Sequence, residues 1–181
     1  MKRLVSLAVL LALLLAGCSG KTDGIFAVSI GKDSFYYKMP VKDLPEEYSL
    51  EGSGSMRRCG AFSAVIRDDE IVLMNIKLEG GRSAEIQNPL NMKETISIDS
   101  SMDVGSIENV LGSSRGDYAG SGEISYCYFY ADGEFTEAEK PMREYSGDDA
   151  ESCLALTFKY GGDGKITNVI LADRQAAVYF E

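Results

Sequence analysis

The residues able to do chemistry in this chain are four cysteines and a run of carboxylates, and the absence of any histidine limits what they can do. A thiol acting as a nucleophile needs a base beside it, and no imidazole is available to any of them. Cys59, Cys127 and Cys153 lie in the body of the chain. In an oxidising compartment they allow one disulfide with one thiol left over, and the sequence permits any of the three pairings. Cys127 with Cys153 is the expected pair, because the two border the same acidic loop. Strand register decides whether they can meet. If Tyr130 lies opposite Cys153 they point to opposite faces, and a shift of one residue brings them to the same face.

That loop, 131–152, carries Asp132, Glu134, Glu137, Glu139, Asp148, Asp149 and Glu151. Oxygen ligands of this kind suit calcium, but no Asp-x-Asp-x-Asp-Gly spacing is present, and Lys140 and Arg143 interrupt the acids. A solvated acidic loop is the expectation, with no metal and no cofactor. Carboxylates of this loop serving ligand, metal or glycan binding, or hydrolysis, form the alternative reading. Just before it, Tyr126, Tyr128 and Tyr130 alternate along one expected strand and share a face. Such a stripe offers a contact surface for a protein partner. The glycine run Gly161-Gly162-Asp163-Gly164 is a turn between strands, and it lacks the Gly-Lys-Ser/Thr ending of a phosphate loop.

The sharpest motif lies at the start. Met1-Lys2-Arg3 leads into an apolar run that ends in Leu15-Ala16-Gly17-Cys18. A basic start, a short hydrophobic segment and a small-residue cleavage site make a secretory signal peptide, and the run is too short to span a bilayer. The ending resembles the bacterial lipobox. That resemblance implies a diacylglycerol on Cys18 Sγ, cleavage before Cys18, palmitate-type acylation and anchoring without a spanning helix. The mature chain then holds 16 basic and 28 acidic side chains, for a net charge of −12. An acidic body repels nucleic-acid phosphate and anionic headgroups, so the lipid does the anchoring.

The elements that must position these groups follow from periodicity and turn chemistry. Residues 1–17 are the signal peptide and 18–24 the lipidated cysteine and tether. A β-rich N-terminal segment, 25–90, contains a hairpin turning at Gly31-Lys32-Asp33 and another turning at Arg67-Asp68-Asp69-Glu70, with a glycine- and serine-rich loop at 51–58 between them. In 91–181 the pattern predicts a helix over 104–111, N-capped by Asp103, stopped by Gly112, and burying Val104, Ile107, Val110 and Leu111. Strands over 124–130, 153–160 and 165–172 then make an antiparallel meander. The fold class expected is α+β, a β-rich half followed by a short helix packed on that meander.

Met102-Asp103, Ile107, Leu111-Gly112, the tyrosine-rich strand and Asp163-Gly164-Lys165-Ile166 together resemble a module of small bacterial lipoproteins. It is similar to the fold of β-lactamase inhibitor proteins and small outer-membrane assembly lipoproteins. Ile30-Gly31-Lys32 and Met39-Pro40-Val41-Lys42-Asp43-Leu44 resemble uncharacterised lipoproteins of Firmicutes. Ser101 stands where the module has glycine. The resemblance implies a bacterial protein at the extracytoplasmic face of the membrane, binding another envelope protein and catalysing nothing.

Overall fold

The computed structural model describes residues 26–52, 54–60, 62–114 and 122–177. Cys18 and the leader lie outside the described residues. The chain is β-rich with a few short helices, and every strand pair is antiparallel.

Strand β1 (Val28–Ile30) turns at Gly31-Lys32 into β2 (Asp33–Phe35), with Ile30 opposite Asp33. A two-residue strand, β3 (Met39–Pro40), precedes two single 3-10 turns at Val41–Asp43 and Glu46–Tyr48. The segment expected as a loop over 51–58 ends instead in β4 (Met56–Cys59), which pairs with β5 (Phe62–Arg67). Asp68 and Asp69 both take positive φ, as a two-residue I′ loop requires, and lead into β6 (Glu70–Lys77). β7 (Ser83–Gln87) and β8 (Thr95–Asp99) follow, and then helix α1 (Val104–Leu111).

The helix obeys its end signals. Asp103 Oδ1 accepts the Ser106 backbone N–H at 2.9 Å, and Gly112 stops it at φ 82°. Only Ile107 is fully buried, whereas Val110 is 50% exposed, so the expected apolar stripe is narrower than the sequence pattern. At positive φ a Cβ is strained, so Gly112→Ala should cost about 1 kcal/mol in denaturant unfolding. An unchanged midpoint would mean that the helix end relaxes freely.

β9 (Glu123–Ala131) and β10 (Glu134–Glu137) form a hairpin closed by Asp132 and Gly133, both at positive φ. Helix α2 (Asp148–Ser152) then feeds directly into β11 (Cys153–Tyr160). β12 (Ile166–Asp173) and the single-turn helix α3 (Arg174–Ala177) complete the described chain.

Two sheets result. The smaller has the order β2-β1-β7-β8, and the larger runs β10-β9-β11-β12-β6-β5-β4, with β3 pairing to β6. The expected boundary at 90/91 falls between β7 and β8 of one sheet, and β12 pairs with β6 in the other. The two sheets share one core. Phe26, Val28, Phe35, Ile86 and Ile98 meet Phe62, Met74, Ile76, Leu156 and Phe158, and Ile107 of α1 joins them. The opposite face of the large sheet is covered too, near α3 by Val65, Leu73, Ile170 and Ala176, and near α2 by a separate cluster around the cysteines.

Two local networks fix this arrangement. Ile166 N–H donates to Met102 O at 3.0 Å and Lys165 Nζ to Ser101 O at 2.7 Å, which ties the entry to α1 onto the start of β12. The motif residues Met102-Asp103 and Lys165-Ile166 thus lie side by side. On the far face, Asp173 is buried and accepts from Arg67 Nη2, from Tyr37 Oη at 3.0 Å and from the Ala176 N–H at 2.8 Å. One carboxylate therefore joins β5, the 36–38 turn and α3.

Candidate functional site

The sequence points to the region of β9, β10, β11 and the segment between the last two, and that region has a definite structure. Ala131-Asp132-Gly133-Glu134 makes a tight hairpin, so the first part of the expected 131–152 loop is a strand. Asp-Gly between extended runs is the signal for such a turn. β10 is an edge of the large sheet, and Asp132, Glu134, Glu137, Glu139, Glu144, Asp148, Asp149 and Glu151 are all exposed. Among the described residues no three His, Cys, Asp or Glu side chains converge as a metal site would require.

The tyrosine stripe corrects an expectation. Tyr126 and Tyr128 do share a face, but it faces the core: they are 3% and 1% exposed, and neither can touch a partner. Tyr126 packs edge-on to Phe158 at 6.2 Å and donates its hydroxyl to Gly112 O at 2.8 Å. Tyr128 packs against Phe26 and Phe135. Tyr130, near the end of the strand, is half-buried against Phe135. The small sheet covers this face, and aromatic bodies bury more apolar area than a solvated stripe would allow.

Burial also changes how these phenols titrate. It pushes Tyr126 up to about 12 from an ordinary 10.0, helped by the charges of Glu108 and Glu137, and pushes Tyr128 higher still. Because folding raises these values, the stabilisation is complete below pH 10 and is lost as pH climbs through about 12. Denaturant midpoints should fall steeply above about pH 10. A midpoint unchanged at pH 12 would contradict the burial of both rings.

The thiols lie on the other side of the same strand. Cys153 is opposite Phe129 and Cys127 is opposite Ala155, one residue away from the pairing of Cys153 with Tyr130. The two cysteines therefore point to the same face of neighbouring strands. Cys153 is fully buried and Cys127 is 7% exposed, and Ala138, Ala155, Phe129, Met142 and Tyr145 enclose them. Phe129 and Tyr145 stack edge to face at 4.8 Å, and Tyr145 Oη accepts the Lys140 N–H at 2.9 Å, so the 138–145 segment is held over the pair. Neither thiol is in a disulfide. Cys127 is held below the ordinary thiol value by the Cys153 S–H and, against the effect of burial, by the Met142 N–H. Cys153, the donor to Cys127, is pushed up, with burial adding to the rise and Arg174 opposing it. Cys59 is on β4, with β5, β6 and β12 between it and β11.

An apolar recess lined by Phe26, Val28, Tyr36, Tyr37, Ile71 and Leu171 has room for only about 10 Å³, no more than a single water. No helix among the described residues is long and apolar enough to cross a membrane. No protein-family model, no curated protein and no solved structure matches this chain.

Proposed function

We propose that the chain is a lipid-anchored, extracytoplasmic lipoprotein of the bacterial envelope that works by binding another envelope protein and performs no catalysis. The observation that carries this reading is Leu15-Ala16-Gly17-Cys18 at the end of a basic and then apolar leader. Phe26, the first described residue, is buried in the core and follows Cys18 by eight positions, a reach of at most about 28 Å. A lipid on Cys18 therefore keeps the folded body beside the bilayer surface.

On this reading the C-terminal half is akin to the module of small lipoproteins, a short helix on an antiparallel meander. The adjacency of Met102-Asp103 to Lys165-Ile166 supports it. The contact surface is the acidic edge formed by β10 and the 138–152 segment, and the partner presents a basic face to it. An open strand edge leaves backbone groups for pairing, and opposite charge steers the encounter.

Crosslinking in cells, followed by mass spectrometry, tests this. One dominant protein partner is expected, and its capture should fall roughly tenfold in a Glu134→Lys, Asp149→Lys variant. Recovery of this chain alone, under an efficient crosslinker, would overturn the binding role and point to a small ligand or glycan at the loop carboxylates.

A further inference from the structure

We propose that Cys127 and Cys153 form a thiol–disulfide exchange site, oxidised by a low-molecular-weight disulfide to an internal bond that staples β9 to β11. Four observations converge on it. The register puts Cys153 opposite Phe129 and Cys127 opposite Ala155, so the two side chains are diagonal neighbours on one face of adjacent strands. The third cysteine is across the sheet, so it does not compete for the bond. Arg174 Nη1 is buried without a hydrogen-bond partner among the described residues, and its charge acts on Cys153. The two thiols share one buried cluster with Ala138 and Ala155. A guanidinium acting on a thiol favours its thiolate, and two inert core thiols would have no such neighbour.

Exposure sets the order of events. Cys127, with 7% of its surface open, meets the oxidant first, and Cys153, with none, resolves the intermediate. The Cys127 thiolate attacks one sulfur of the external disulfide, forming a mixed disulfide and releasing one thiolate. Cys153 attacks the Cys127 sulfur and expels the second thiolate, which takes up the Cys153 proton. The protein dithiol loses two electrons and two protons, and the external disulfide becomes two thiols.

The test uses the full mature protein extracted from membranes, treated with glutathione disulfide, alkylated under denaturing conditions and mapped by peptide mass. A Cys127–Cys153 linked peptide is expected, with Cys59 alkylated, and dithiothreitol should restore both thiols. Closing a loop of this length should also raise the melting temperature by roughly 5–10 °C. That shift should vanish in Cys153→Ser and persist in Cys59→Ser. Glutathione held on Cys127 of the Cys153→Ser protein would mark the intermediate. Full alkylation of both cysteines after oxidation of folded protein would overturn the proposal, as would a bond from either of them to Cys59. These outcomes do not depend on the lipid or on any protein partner.

Discussion

Replacing Asp173 with alanine is expected to destabilise the fold by about 3 kcal/mol, measured by denaturant unfolding. The carboxylate is 4% exposed, and three donors from three parts of the chain converge on it. Losing the Ala176 contact removes the cap of α3, worth about 1 kcal/mol. The Tyr37 hydroxyl and the Arg67 guanidinium lose their acceptor as well. Arg67 is itself about one-third exposed and keeps Gln175 Oε1 at 2.9 Å, so water and that contact relieve part of its loss and hold the total below that of a fully buried pair. Adding Arg67→Met to Asp173→Ala should recover part of the deficit, because an uncompensated cation disappears while the lost cap remains. A loss under about 1 kcal/mol for Asp173→Ala would show that this cluster does not hold α3 against the sheet.

The largest effect on behaviour in the cell is expected from Cys18→Ala. A thioether-linked diacylglycerol requires Sγ, so incorporation of a palmitate analogue should fall to background and the leader should stay uncleaved by the lipoprotein peptidase. A single acyl chain gives only marginal membrane binding, and two or more give stable anchoring, so losing all of them separates retention from release. The body cannot compensate electrostatically, since even the uncleaved chain has a net charge of −10. The core described begins at Phe26, so the melting temperature of the folded body should not move. Lipid label retained by Cys18→Ala would mean that another residue is modified and that the lipobox has been misread.

Much of the fold was legible in local chemistry. Gly31-Lys32-Asp33 and Arg67-Asp68-Asp69-Glu70 mark turns between strand-forming runs, and both hairpins form there. Asp103, Gly112 and the spacing of Ile107 are sufficient to define α1. What the sequence did not reveal was set by distant partners. Val110 has helical spacing but is 50% exposed, while Ile107 is buried and Val104 and Leu111 pack against the core. β4 hides in a polar stretch, where Met56-Arg57-Arg58 become a strand by pairing with β5 at the sheet edge.

The candidate site turned on a single residue of register. Pairing Cys153 with Tyr130 separates the thiols, whereas pairing it with Phe129 brings them together, and no local propensity distinguishes the two. Counting Asp132-Gly133 as a two-residue hairpin would have revealed β10, though not the register of β11. The same alternation that placed Tyr126 and Tyr128 on one face could not say which face was covered. The small sheet decided it, and half of that sheet lies far away in sequence, in β1 and β2.

The measurement that bears most directly on the central claim is the intact mass of the protein extracted with detergent from membranes of cells that make it. The account predicts a chain beginning at Cys18 and carrying a diacylglycerol, with or without a further acyl group on its new amino terminus. A chain that keeps residues 1–17, or one that begins elsewhere and carries no lipid, would contradict it.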